Sequence, residues 1–289
     1  MKVTYTTLAL MAAVTLSVTG CNGGNSNTST DLYQNAKSIS DLTQLSDAEK
    51  LAVAMLKSNK QPDISTPAKS RSRALQSMRC TNSGTIEFEI PSAEEMQNPD
   101  FQPPSAVTMA FHNCVEEGKT ANGTMKVILS NDNTTEEMVY LEDFTVESAT
   151  EHMVFKKGSR FRLRTLQNGW EEMVINADVT YNGIRHVGKD LIYRGIENAD
   201  GSSRSYPVSG YEQIGESALF EVDPAYDASK TPFITDKNGD DISGKAYYLD
   251  DQTHKVEITV VRKNIVSVKV DENGDGSFSE DETSLIKIP

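Results

Sequence analysis

The chain has 289 residues, 42 of them acidic against 28 basic, and a formal charge of −14 at pH 7. That balance excludes nucleic acid as a partner, because such binding draws its affinity from a basic surface. Aromatic residues make up only 7% of the chain, which is thin material for a sugar-binding platform of stacked rings.

The chain opens with Met1-Lys2, runs through an apolar stretch from about Leu8 to Val18, and reaches Thr19-Gly20-Cys21. A basic start, a short apolar segment and small residues at the cut describe a secretory signal over residues 1–20. The apolar run is shorter than the roughly 20 residues that a membrane-spanning helix needs. Val18-Thr19-Gly20-Cys21 resembles the lipobox of bacterial lipoproteins. The resemblance implies that the Cys21 thiol receives a diacylglyceryl group, that cleavage falls just before it, and that its new amine is acylated. The membrane is then a partner through the lipid anchor, and the protein belongs to the cell envelope. Position 22 is Asn, not Asp, which by the same resemblance points to the outer rather than the inner membrane. Residues 21–30 read as the lipidated tether, since Asn22 to Thr30 has the composition of flexible coil.

Residues 31–79 are expected to hold a helical segment and a basic linker. Ser46-Asp47-Ala48-Glu49 is a capping box, with Ser at the N-cap and Glu at the third helical position. Ala48, Leu51, Ala52, Met55 and Leu56 follow at helical spacing and predict one apolar face. Pro62 limits continuation. Lys60, Lys69, Arg71, Arg73 and Arg79 then make a basic run in an acidic protein. A solvated linker and a stretch lying against anionic headgroups both fit that run.

Residues 80–289 are expected to form an antiparallel β domain. The period changes to two: Ile86, Phe88 and Ile90; Val107, Met109 and Phe111; Met125, Val127 and Leu129; Phe161 and Leu163; Ile175, Ala177, Val179 and Tyr181; Val256, Ile258 and Val260; Val266, Val268 and Val270. Such alternation describes strands with one face in a core and one in water. Asn122-Gly123, Asn182-Gly183, Asp200-Gly201 and Asn238-Gly239 are turn signals between them. The predicted fold class is mostly β: an antiparallel meander, sandwich or open barrel, with one short N-terminal helix. Arg160, Arg162 and Arg164 project from one side of one strand and invite glutamate partners on a neighbour.

The chain has 3 cysteines. If Cys21 carries lipid, Cys80 and Cys114 remain as a pair, and an oxidising compartment favours a disulfide between them. The alternative is a thiol or metal role. His112 lies two residues before Cys114 and on a strand would share its face, although two ligands fall short of a zinc site.

Asp271-Glu272-Asn273-Gly274-Asp275-Gly276-Ser277-Phe278-Ser279-Glu280-Asp281-Glu282 matches the twelve positions of the EF-hand calcium loop. Asp271, Asn273 and Asp275 offer side-chain oxygens at positions 1, 3 and 5. Ser277 offers its carbonyl at position 7, Ser279 acts directly or through water at position 9, and Glu282 supplies two oxygens at position 12. Gly276 permits the sharp turn, and Phe278 matches the apolar anchor. The flanks are strand-like, so a single structural calcium site in a β setting is expected, binding at about 10⁻⁴–10⁻³ M. A metal-free acidic turn is the competing reading. The tail from Ser243 to Pro289 is similar to the C-termini of uncharacterised bacterial lipoproteins, as is Phe111-His112-Asn113-Cys114 followed by Asn122-Gly123-Thr124. That likeness implies no activity.

Catalytic signatures are missing from the sequence. The 4 histidines form no His-Glu-x-x-His pair. Gly215-Glu216-Ser217-Ala218-Leu219 lacks the second glycine of a nucleophile elbow. The expectation is a non-enzymatic envelope lipoprotein that binds an unknown envelope ligand or protein, or has a structural role. One alternative is an open β-barrel that carries lipid or lipoprotein in the periplasm, which calls for an apolar cavity. A second is a glycan-acting enzyme, which calls for a cleft with two carboxylates at suitable separation.

Overall fold

The computed structural model describes residues 36–38, 45–57, 75–89, 106–130, 134–238, 240–280 and 282–287. The signal segment, Cys21, the tether and most of the basic linker lie outside the described residues. In chain order the elements are β1 (Lys37–Ser38), α1 (Asp47–Lys57), β2 (Leu75–Arg79), β3 (Ser83–Glu89), β4 (Ala106–Glu116), β5 (Lys119–Leu129), β6 (Thr135–Tyr140), β7 (Phe144–Glu147), β8 (His152–Phe155), β9 (Arg160–Thr165), β10 (Glu171–Tyr181), β11 (Ile184–Glu197), β12 (Ser203–Ile214), β13 (Phe220–Val222), β14 (Phe233–Thr235), β15 (Asp241–Leu249), β16 (Lys255–Arg262), β17 (Ile265–Val270) and β18 (Thr283–Lys287). Among the described residues the fold is mostly β and antiparallel, with one short N-terminal helix; β1 runs parallel to its partner, β18. The chain divides into two compact units, residues 61–192 and residues 193–289 with an N-terminal segment that includes β1 and α1.

In the first unit β2, β3, β4 and β5 form a meander. β5 and β10 are long enough to serve two partners each. The first half of β5 pairs with β7 and the second with β6. The first half of β10 pairs with β9 and the second with β8. β6 pairs with β9 and β7 with β8, so the ladder runs from β5 to β10 by two routes. Aromatic rings fill the space between them. Tyr140 stacks on Phe155 at 4.6 Å, and Phe144 meets Phe111 edge-on at 5.2 Å. Such pairs contribute about 0.5–1.5 kcal/mol each beyond the area they bury.

Two of the turn signals behave differently. Asn182 (φ 45°) and Gly183 (φ 83°) are the two residues between β10 and β11, and the positive φ at both suits a type I′ hairpin. Asn122-Gly123, by contrast, lies inside β5, and the β4–β5 turn falls at Glu117-Gly118. The Asn122 side chain accepts from the Asn113 amide at 2.6 Å, beside a bulge in β4. Gly123 is needed for close approach, since a Cβ there would lie 2.7 Å from the Asp143 carbonyl oxygen. The dipeptide reports a packing constraint, not a reversal.

In the second unit β12 and β15 are bridged by β13 towards one end and by β14 towards the other. β16, β17, β18 and β1 continue from β15. The capping box forms as expected: the Ser46 amide donates to Glu49 at 2.7 Å, and the Glu49 amide donates to the Ser46 hydroxyl at 3.3 Å. Helix α1 touches β12 and β17, strands well separated in the ladder, so the strands wrap around it. The pattern predicted one apolar face. Instead Leu51, Ala52, Val53, Ala54 and Met55 are all buried, Ala54 at 2% exposure. A helix buried all round is one enclosed by its own core.

Candidate metal centre

The loop 271–282 joins β17 to β18. Its ends are fastened by the ladder, and the Val270 amide donates to the Glu282 carbonyl at 3.0 Å. Asp271 is buried, at 3% exposure. Its two carboxylate oxygens accept from the Asp275 amide at 3.0 Å and the Gly276 amide at 2.8 Å. The Asn273 oxygen accepts from the Asp275 amide at 2.9 Å. Asp275 accepts from the amide and hydroxyl of Ser277, at 2.8 and 2.5 Å. Glu282 reaches back to the Ser279 amide and hydroxyl, both at 2.7 Å, and to the Glu272 amide at 3.1 Å.

These bonds set the electrostatics. The Ser277 hydroxyl and amide hold the Asp275 carboxyl below the usual range. The Ser279 amide and hydroxyl do the same for Glu282. Both stay ionised at neutral pH, which a hard cation requires. Asp271, Asn273, Asp275, Ser277, Ser279 and Glu282 therefore sit on one folded loop with an all-oxygen donor set. They fit calcium by chemistry.

The distances are a separate matter. Among the described residues, three His, Cys, Asp or Glu ligand atoms come within 4.8 Å of one another at Cys80, Cys114 and Glu116. The carboxylates of Asp271, Asp275 and Glu282 do not form such a group, so an ion would have to draw them together. At Cys80 and Cys114 both sulfurs are consumed in a disulfide, with Cα atoms 5.5 Å apart. Ile86 is buried against this bridge, and Phe88, Met109 and Phe111 pack on it. No protein-family model, curated protein or solved structure matches the chain.

The bulge in β4 separates His112 from Cys114. Cys114 turns inward, while His112 is exposed with its Nε2 3.5 Å from Glu87. The Cys/His pair drawn from a regular strand is therefore not formed. Ser217 is buried; its hydroxyl accepts from the Ile214 amide at 3.1 Å and donates to the Ala218 carbonyl at 3.0 Å. It holds a turn. Arg160 and Arg164 find the expected glutamates, Glu137 at 3.7 Å and Glu172 at 2.7 Å.

Two polar groupings had no signature in the sequence. Glu257, in the run Val256-Glu257-Ile258, is expected to face water, yet it is buried at 5% exposure. Burial alone would raise it, but the Tyr247 hydroxyl, Lys245 at 2.9 Å and Lys269 at 3.1 Å hold its carboxyl down at about 2. The register Tyr247–Glu257–Lys269 across β15, β16 and β17 assembles it. The second grouping is a hydroxyl chain. Tyr248 lies 3.3 Å from Tyr193, which donates to Glu212 at 3.4 Å, and burial pushes Glu212 up to about 7. Neither is visible without the strand register.

Proposed function

We propose that this is a lipid-anchored protein of the cell envelope, non-enzymatic, with a binding or structural role, and that its 271–282 loop takes a structural calcium ion. The observation that carries the anchor is the Cys80–Cys114 disulfide. It accounts for two of the 3 cysteines and suits an oxidising compartment. Cys21, behind the apolar leader, is the one left for lipid. The interiors support a module over a carrier: α1 fills the second unit, and aromatic rings pack the first. Cells fed an alkyne fatty acid should label the wild-type protein and not Cys21→Ser. Label persisting in Cys21→Ser would overturn the anchor.

Asp271, Asn273, Asp275 and Glu282 would hold calcium through side chains and Ser277 through its carbonyl, with Ser279 completing the set. Bound there, the ion would supply charge neutralisation and a cross-link between the ends of β17 and β18. At several millimolar calcium the melting temperature should rise in wild type and not in Asp271→Ala. No rise in wild type would overturn the metal role.

A further inference from the structure

The start of β1 and the 271–282 loop lie towards one end of the second unit. β17 stops at Val270, the loop follows, and β18 begins at Thr283. β1 pairs with β18 in parallel, Lys37 beside Ile286 and Ser38 beside Lys287. Both strands therefore run away from the loop, and β1 begins on its loop side. At about 3.3 Å per residue, Lys37 sits only about 10 Å along the strand from Thr283. The turn at 250–254 shares this end, because Asp271 donates its amide to the Lys255 carbonyl at 2.9 Å. The opposite end carries the Lys263–Asn264 turn and the 236–240 turn, joined by Lys263 and Asp240 at 2.6 Å.

We propose that the loop-bearing end of the second unit is the face turned towards the headgroups of the anchoring bilayer. The proposal rests on lipidation at Cys21. A flexible chain the length of residues 22–36 has a root-mean-square span of about 20 Å, and a strand the length of β17 is itself about 20 Å long. On such a tether the loop end would lie within about one strand length of the bilayer, and the opposite turns a further strand length out. The near end is acidic, with Asp250, Asp251, Asp271, Glu272, Asp275, Glu280 and Glu282. Charge would push it away from an anionic surface, so the tether sets the approach.

Spin labels test this on the full lipidated protein bound to phosphatidylcholine–phosphatidylglycerol vesicles containing a nickel-chelating lipid. Gln252→Cys and Glu280→Cys report on the near end; Lys237→Cys and Lys263→Cys report on the far end. With Cys80 and Cys114 bridged and Cys21 acylated, each introduced thiol is the one free to react. Both near labels should relax faster in the presence of the nickel lipid than both far labels. Equal relaxation, or faster relaxation at the far end, would overturn the orientation. Soluble Cys21→Ser serves as the control for the anchor: if the wild-type chain stays off the vesicles like Cys21→Ser, the anchor fails and the orientation falls with it.

Discussion

Glu212 and Glu257 are glutamates of the same unit pushed in opposite directions. Glu257 is held down by two lysines and a tyrosine, Glu212 is pushed up to about 7 by burial, and the ordinary value is 4.5. The groups facing Glu212 are the Tyr193 and Tyr248 hydroxyls and, opposite it on β13, Phe220. On α1, Asp47 is bonded to Lys50 and the Ala218 amide, and Glu49 to Ser46. The Tyr193 hydroxyl donates to Glu212 and favours its ionised form, but burial outweighs that single bond. A carboxyl raised by folding gives its full stability below the unfolded value and loses it as pH rises through the folded one. The wild type should therefore lose stability relative to Glu212→Gln as pH rises from 4.5 through about 7, read as a widening gap in melting temperature that cancels the shared histidine titrations. A constant gap would refute it. Glu257 acts in the other direction, and its contribution disappears only as pH falls through about 2. The Cys80–Cys114 pairing was legible at this scale because setting Cys21 aside leaves two cysteines to pair. The glutamates were not, because their environment is made by strands distant in sequence.

Helix α1 shows what a single element reveals and hides. Its start is written locally, in Ser46 and Glu49, and appears as written. Its burial is not local: the sequence assigns Ala54 to the flank of an amphipathic stripe, and the surrounding strands bury it. Ala54→Lys separates the two. On a solvated flank it would shift stability by about 0.5 kcal/mol or less, whereas an uncompensated buried charge costs roughly 3–5 kcal/mol. Denaturant unfolding should report the larger figure. The strands divide along the same line. β9 and the 177–181 end of β10 follow their alternation, β4 is broken by its bulge, and β16 and β17 depart from it because Glu257 and Ser267 are buried as well. β12 escaped notice because Ser203, Arg204, Ser205 and Pro207 interrupt any apolar period, and it is held by partners on both sides rather than by its own pattern.

Across the molecule, fold class was readable from the repeated period of two and the turn residues. The two-route ladder of the first unit was not, because nothing in β5 or β10 announces that each half takes a different partner. The disulfide spans part of that unit. Bridging a separation of 34 residues should stabilise it by about 3–4 kcal/mol through the unfolded chain. Cys114→Ser should lower the unfolding midpoint by a matching amount, and unfolded, unreduced wild type should show no thiol from either position. Two free thiols per chain in that assay would refute the bridge.

The β1–β18 pairing sets the order of assembly. The first unit is contiguous and can complete its contacts while the chain is still being delivered. The second must hold β1 in waiting until the last strand, β18, arrives, the kind of distant closure that folds slowly. Until Thr283 to Lys287 docks, β17 stands as an open edge, the form of strand most prone to pair with a neighbouring chain.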